Sequence, residues 1–212
     1  KLALAWRDQQ AIILDRMSAL RRAREQELGV GFPTVKLVDG DALPSSDYEI
    51  RLFGARYGNA ELHLDHVMAI ASSNAKRKLA GVEAIDPAFG LPAVWIEPER
   101  ATEARDAGYS IVDPLTVMLT HFGEIVRDEI AALMTRSAVV GLLDDVRRFQ
   151  PGLVEELIPN LLSVSDVQRV LQNLLGEGIS IANLDQIVEH LVDLARQQKD
   201  PTELTELVRQ RL

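Results

Sequence analysis

The groups in this chain that could do chemistry are a few histidines and carboxylates, and their spacing argues against most of it. His63 and His66 lie three apart with Asp65 between them. On the extended segment expected there, residues three apart point to opposite faces, so the pair does not converge on a metal. His121 and Glu124 sit one helical turn apart and would make an acid and a base. The chain has no cysteine and no glycine-flanked serine elbow to serve as nucleophile, so His121 reads as a helix-surface histidine. Gly29-Val30-Gly31 lacks the third glycine and the preceding strand of a dinucleotide loop, and no Gly-rich loop ending in Lys-Ser/Thr occurs. Glu97, Glu99 and Glu103 cluster near a helix start, where the macrodipole stabilises carboxylates without any catalysis. The residues predict no enzyme, no cofactor and no metal.

Composition narrows the remaining classes. A length of 212 residues allows one large or two small domains. Acidic residues outnumber basic ones by 32 to 23, and a net charge of −9 repels a phosphate backbone unless the cations gather on one face. The densest gathering, Arg16, Arg21, Arg22 and Arg24, is followed at once by Glu25 and Glu27, which describes a solvated helix face rather than a nucleic-acid site. The absence of cysteine excludes disulfides and thiolate metal sites and suits a reducing compartment. No apolar run approaches the roughly 18 to 20 residues that span a bilayer, and no signal-peptide pattern opens the chain. The expectation is a soluble, cytosolic chain. It opens without Met inside a helical pattern and so reads as a piece of something longer.

The elements that position these residues fall into two styles. Trp6, Ile13, Met17, Leu20 and Leu28 mark an amphipathic helix ending at Gly29. Strands are expected at Thr34–Val38 and Tyr48–Phe53, separated by Asp39-Gly40-Asp41 and Pro44-Ser45-Ser46, then at Ala60–Leu64 after a Gly58-Asn59 turn, and at Met68–Ala71. Ser72–Lys78 reads as a polar, mobile loop, and the pattern stays weak up to Ile85. Pro87, Gly90 and Pro92 forbid helix over Asp86–Leu91 and demand a shaped turn. Ala93–Ile96 then runs extended, and Pro98 opens a thin helix over Glu99–Ala107 with only alanines as its apolar face, closed by Gly108. Tyr109–Val112 is a strand, and Asp113-Pro114 caps a long helix carrying residues from Leu115 to Leu133.

Past Met134 helical stripes take over. Val139 to Val146 form one stripe, stopped by Pro151, and Leu153 to Ile158 a shorter one, stopped by Pro159. Ser165 and Gln168 read as a capping box for a helix ending at Gly176. Asn183 and Asp200 head the last two helices, and Leu204, Leu207 and Val208 need a partner that is either the preceding helices or a further domain. The fold class is α+β: a mixed α/β N-terminal half with an inserted small subdomain, then an all-helical C-terminal subdomain. Within it Phe89 stands between a glycine and a proline-restricted turn, either plugging a core or facing outward as an anchor. Burial statistics for a large aromatic favour the plug.

The runs Asp86–Ile96 (DPAFGLPAVWI), Gly108–Val117 (GYSIVDPLTV), Thr120–Phe122 (THF), Leu157–Ser163 (LIPNLLS) and Val167–Leu175 (VQRVLQNLL) together resemble the cytoplasmic domain of the type III secretion export-gate family. The resemblance covers the chain from about Met17 to its end. The Val-Asp-Pro-x-Thr-Val run followed by Thr-His is closer to the flagellar branch than to the injectisome branch, which is the alternative.

That resemblance implies a bacterial inner-membrane protein whose soluble portion hangs in the cytoplasm, forms a homo-oligomeric ring, and receives export chaperones with their cargo beside other export-apparatus proteins. It implies subdomains at 1–64, 65–113, 114–134 and 135–212, the first and third pieces forming one mixed α/β unit, and a fourth family subdomain absent from this chain. Membrane attachment belongs to a region N-terminal to it. The family's chaperone-binding dimple maps onto Asp86, Phe89 and Thr120, with Asp86 expected to orient a donor on the partner. The resemblance turns the reading of Phe89 toward an anchor. A hydrolytic α/β domain would need a closed pocket with perturbed titratable groups, and a small RNA-binding sheet would need stacking aromatics that outweigh the negative charge.

Overall fold

The computed structural model describes residues 6–32, 34–40, 42–73 and 78–212. Expectations that fall on Lys1–Ala5, Asp41 and residues 74–77 lie outside it. The chain divides into two compact units, Lys1–Ser18 with Val35–Arg127, and Ala19–Thr34 with Asp128–Leu212. The change of style read near Met134 thus falls at Asp128, and the helical unit also takes in an early segment.

In the first unit a 3-10 turn at Arg7–Gln9 leads into helix α1 (Gln10–Leu28). Ile13 and Met17 are buried on it, while Leu20 is exposed, so the stripe read from the sequence breaks where the helix passes from one unit's residues to the other's. Residues 34–40 form no strand despite their β-branched composition, and Val38 is exposed. Strand propensity without a pairing partner or a buried face does not hold a strand.

Strands β1 (Asp47–Leu52) and β2 (Ala55–Glu61) form an antiparallel hairpin. Its turn is Phe53-Gly54, with φ of 50° and 84°. Positive φ at both central residues is the two-residue hairpin geometry whose twist matches the strands. The Gly58-Asn59 pair, expected as the turn, lies inside β2 just past a register shift. Gly58 is needed there for another reason. A Cβ on it would sit 2.5 to 2.7 Å from Ile125 Cδ1 and the His121 ring, so the missing side chain lets helix α3 (Pro114–Asp128) pack directly on the hairpin.

Strands β3 (Val67–Ala71), β4 (Val82–Ile85), β5 (Pro92–Ile96) and β6 (Tyr109–Val112) make an antiparallel sheet in the order β4-β5-β3-β6. β4 was illegible in the sequence, being a short edge strand with half-exposed residues and only β5 to pair with. Its presence makes Asp86–Leu91 the connection of a β4–β5 hairpin, with Ile85 opposite Pro92. Helix α2 (Ala101–Asp106) follows a 3-10 turn at Pro98–Arg100. Its alanine face is not left in solvent: Ala104 and Ala107 are buried with Ala69, Val94 and Ile96. Small side chains allow that close approach. Asp113 caps α3, accepting from Thr116 N at 3.0 Å and from Thr116 Oγ1 at 2.6 Å.

The second unit is built from α4 (Ile130–Leu133), α5 (Arg136–Phe149), α6 (Pro151–Leu157), α7 (Val164–Gly176), α8 (Leu184–Leu194) and α9 (Pro201–Arg209). Its capping box is Ser163 with Asp166, two residues earlier than expected: Asp166 Oδ2 accepts from Ser163 N at 2.9 Å, and Ser163 Oγ accepts from Asp166 N at 3.2 Å. Gln168, freed from that role, donates instead to Met134 O at 2.9 Å. α9 buries Leu204, Thr205 and Val208 and packs on α7 and α8, so its stripe finds its partner among the preceding helices. The C-terminal half of α1 joins this core through Leu28 and Val30. Ile181 N donates to Leu28 O at 2.9 Å, and Ser180 Oγ donates to Glu27 O at 2.7 Å. Among the described residues no helix is long and apolar enough to cross a membrane.

Gly29 joins α1 to this docking segment with φ +73°, and a Cβ there would meet Ala182 Cα at 2.3 Å. Gly29→Ala combines an unfavourable backbone region with a backbone clash, and we expect a loss of about 2 to 4 kcal/mol in urea unfolding. Gly58→Ala forces the His121 ring to shift and should cost about 1 to 3 kcal/mol. Either variant unfolding within about 0.5 kcal/mol of the parent contradicts the close approach described for it.

Candidate functional site

The β4–β5 connection is held by its own backbone and by one side chain. Asp86 N donates to Leu91 O at 2.8 Å, Gly90 N donates to Asp86 O at 2.9 Å, and Phe89 N donates to Asp86 Oδ2 at 3.0 Å. Gly90 takes φ +68°, which a glycine adopts without steric cost. The result is a closed turn in which the backbone is satisfied from within and the aromatic is thrown outward. Phe89 is 56% exposed, which excludes the core-plug reading. Leu91, two residues on, is also exposed, and so are Val82 and Ile85 on β4, which stand three apart on the strand and so face opposite sides of the sheet.

Asp86 departs from the expected role. It is 2% exposed, and its carboxylate is turned into the loop instead of facing a partner. A carboxylate placed between two prolines' worth of restricted backbone and a tight turn serves the nearest N–H, as Asp does in Asx turns. Thr120 is half-buried on α3, next in sequence to His121. Asp86 and Phe89 therefore share one loop, and Thr120 stands on a different element of the same unit.

A buried polar pair between β1 and α3 was missed by sequence reasoning. His121, expected on a helix surface, is 7% exposed, and its Nδ1 is 2.7 Å from the Tyr48 hydroxyl on β1. The two rings meet edge to face, with centroids 5.8 Å apart and an interplanar angle of 71°. Burial pushes the His121 pKa below the ordinary histidine value, with the Asp86 carboxylate acting in the opposite direction. Burial first, and the same carboxylate second, push Tyr48 well above the ordinary tyrosine value, so its hydroxyl keeps its proton. His121 is thus held neutral at neutral pH in a place where Asp86 acts on both rings. The one sequence signal for this was Gly58, a glycine inside a strand pattern, which marks a close approach.

The other chemical groups do not assemble further. A turn at His63–His66, closed by His66 N donating to His63 O at 3.0 Å, brings the two imidazoles to 5.8 Å between centroids, so the argument from an extended segment fails. His63 also stands 5.4 Å from the Trp95 ring. Among the described residues no group of three or more His, Asp or Glu could hold a metal ion. Glu124 is ion-paired with Arg127. A shallow cavity of about 500 Å³, lined by Trp6, Arg16, Asp65 and Asp113 among others, contains none of Asp86, Phe89 or Thr120.

Comparison with known proteins follows the same outline. The sequence matches the FHIPEP family over residues 1–212. It is 38% identical to the flagellar biosynthesis protein FlhA of Bacillus subtilis (strain 168) over 211 residues, covering 100% of this chain and 31% of that protein. The chain thus spans under a third of the length of the curated relatives it matches. Among solved structures it resembles the Chlamydia pneumoniae CdsV protein with a TM-score of 0.78 and 26% identity over 93% of this chain and 58% of that one. CdsV has also been solved in a complex with CdsO, to which the likeness is similar, with a TM-score of 0.76. The fold also matches the nonameric EscV cytosolic domain from the type III secretion system, with a TM-score of 0.69 over 94% of this chain and 59% of that one, at 20% identity. With a family match along its whole length and relatives above 30% identity, the chain belongs to the FHIPEP family.

Proposed function

We propose that this chain is the cytoplasmic docking portion of a flagellar type III export gate, and that the Asp86–Leu91 loop receives export chaperones with their cargo. The observation that carries the reading is an exposed Phe89 on a loop whose every turn is internally hydrogen-bonded. An aromatic on a pre-shaped loop loses little entropy on binding and offers a large contact area, which suits an anchor. The exposed Leu91 on the same loop adds to the apolar contact, and the half-buried Thr120 on α3 is the hydroxyl assigned to the same docking role. Asp86 contributes to docking from inside, by holding the Phe89 N–H.

The flagellar assignment is supported by the curated relatives, which are FlhA proteins at 32 to 38% identity. In the intact protein this portion lies on the cytoplasmic side of the bacterial inner membrane, self-associates into a ring and meets other export-apparatus proteins. The nonameric EscV domain and the CdsV–CdsO complex are the supporting likenesses. The subdomain division at 65, 114 and 135 belongs to the same proposal. The chain acts by binding, not by catalysis.

Phe89→Ala should change thermal stability by about 1 kcal/mol or less, because the ring is already in solvent. It should weaken calorimetric binding of the organism's purified chaperone–cargo complexes by about 2 kcal/mol, roughly thirtyfold. Thr120→Ala should weaken binding by about 1 kcal/mol. A Phe89→Ala protein that melts many degrees early, or that binds as tightly as the parent, overturns the anchor.

A further inference from the structure

We propose that the tip of the β1–β2 hairpin is a membrane-contact finger, which presses an apolar apex and a collar of two arginines onto an anionic lipid surface. It goes beyond the docking reading and rests only on the inner-membrane location given with it.

The turn carries no polar side chain. Leu52-Phe53-Gly54-Ala55 closes the hairpin in a geometry for which asparagine or aspartate before glycine is the usual choice. Phe53 takes φ of 50°, which a bulky side chain adopts only at a cost, and its ring is 69% exposed, so burial does not offset that cost. Gly54 and Ala55 are exposed as well, and Leu52 is half-buried. One pair behind Leu52 and Ala55, Arg51 stands opposite the exposed Arg56, and the exposed Tyr57 is the extra residue at the register shift beside them. Arg51 Nε donates to Glu49 Oε1 at 2.5 Å, whereas Arg56 makes no ion pair with any described residue. The hairpin's carboxylates, Asp47, Glu49 and Glu61, all lie nearer its base.

Apolar apex, cationic collar and aromatic follow the layering of a bilayer interface. A strand rises about 3.4 Å per residue, so the arginine pair lies roughly 7 Å behind the apex, within the roughly 5 to 10 Å to which interfacial anchors sink. The Phe53 ring then enters the acyl boundary while the guanidiniums stay with the lipid phosphates and the Tyr57 ring sits at the headgroups. A protein partner is the poorer fit, since one two-residue turn offers far less than the roughly 800 Å² per partner of a standard interface. A lipid surface asks for no such area, because a protein anchored in the same membrane is held beside it at high effective concentration. The net charge of −9 repels an anionic surface overall. Contact is therefore confined to this one tip, and the arginines need the apolar apex to hold it.

The test measures partition of the purified chain onto vesicles at millimolar lipid and low salt, with equimolar phosphatidylglycerol and phosphatidylcholine against phosphatidylcholine alone. The parent should sediment with the anionic vesicles and at least about tenfold less with the neutral ones. Phe53→Asn should lower the partition about fivefold while melting no earlier than the parent, because Asn-Gly suits this turn better than Phe-Gly. Arg51→Gln combined with Arg56→Gln should lower it about tenfold. Phe53→Trp should show a fluorescence blue shift on anionic vesicles that the parent does not. Calorimetric binding of the organism's purified chaperone–cargo complexes should be unchanged in Phe53→Asn. A parent that ignores anionic vesicles overturns the proposal, and so does a Phe53→Asn protein that partitions as the parent does or melts many degrees early. Chaperone binding lost in Phe53→Asn makes the tip a protein interface and also overturns it. If the vesicle results hold but the parent binds no chaperone, the finger stands and the docking reading fails.

Discussion

A carboxylate removed from water on a loop that must itself stay in water is the constraint around which the first unit is arranged. Asp86 is almost fully buried, yet three residues later Phe89 is more than half exposed, and one hydrogen bond of 3.0 Å joins them. A buried polar group has to be matched by donors, and for the Asp86 carboxylate the donor is the Phe89 N–H of its own loop. Remove the pairing of β4 with β5 and the loop has no fixed ends. Give Gly58 a side chain and the imidazole loses its place. The arrangement explains how a large aromatic can be kept out of the core without becoming disordered.

The helical unit follows a different logic, since its stability comes from apolar burial and from caps. Val139, Leu157, Val167, Leu171, Leu191 and Val208 are almost wholly buried, and Thr135, Ser163 and Asp200 each satisfy N–H groups at a helix start. The unit also recruits the end of α1 through Gly29 and the Ser180–Ala182 segment, a long-range connection in an otherwise local fold.

What the sequence made legible tracks how local the physics was. Helices with a Pro at N1 and a side-chain cap were readable, because cap, turn and stripe lie within a few residues of one another. The strand at Ala93–Ile96 and the shaped turn before it were readable from three prolines and a glycine. β4 was not, because a four-residue edge strand is defined by its partner β5. The strand expected at Thr34–Val38 failed for the converse reason: the composition was right and no partner came. The hairpin turn at Phe53-Gly54 was hidden because phenylalanine rarely takes positive φ, while the more conventional Gly58-Asn59 pair was serving helix packing. For the site, the resemblance singled out Asp86, Phe89 and Thr120, which lie on one loop and one helix, but which way each side chain faces depends on burial. Nothing in the spacing says that Asp86 faces inward, or that His121 meets Tyr48 across 73 positions of chain.

The central claim is that recognition occurs on the apolar surface around Phe89 and that the loop is already shaped before a partner arrives. Titrating an unlabelled chaperone–cargo complex of the same organism into ¹⁵N-labelled chain tests it most directly. The account predicts that shifted amides cluster at Phe89, Gly90, Leu91 and Thr120, with the Phe89–Asp86 hydrogen bond protected from exchange before and after binding. Shifts confined to the helical residues after Asp128, or a Phe89 amide that gains protection only on binding, would contradict it.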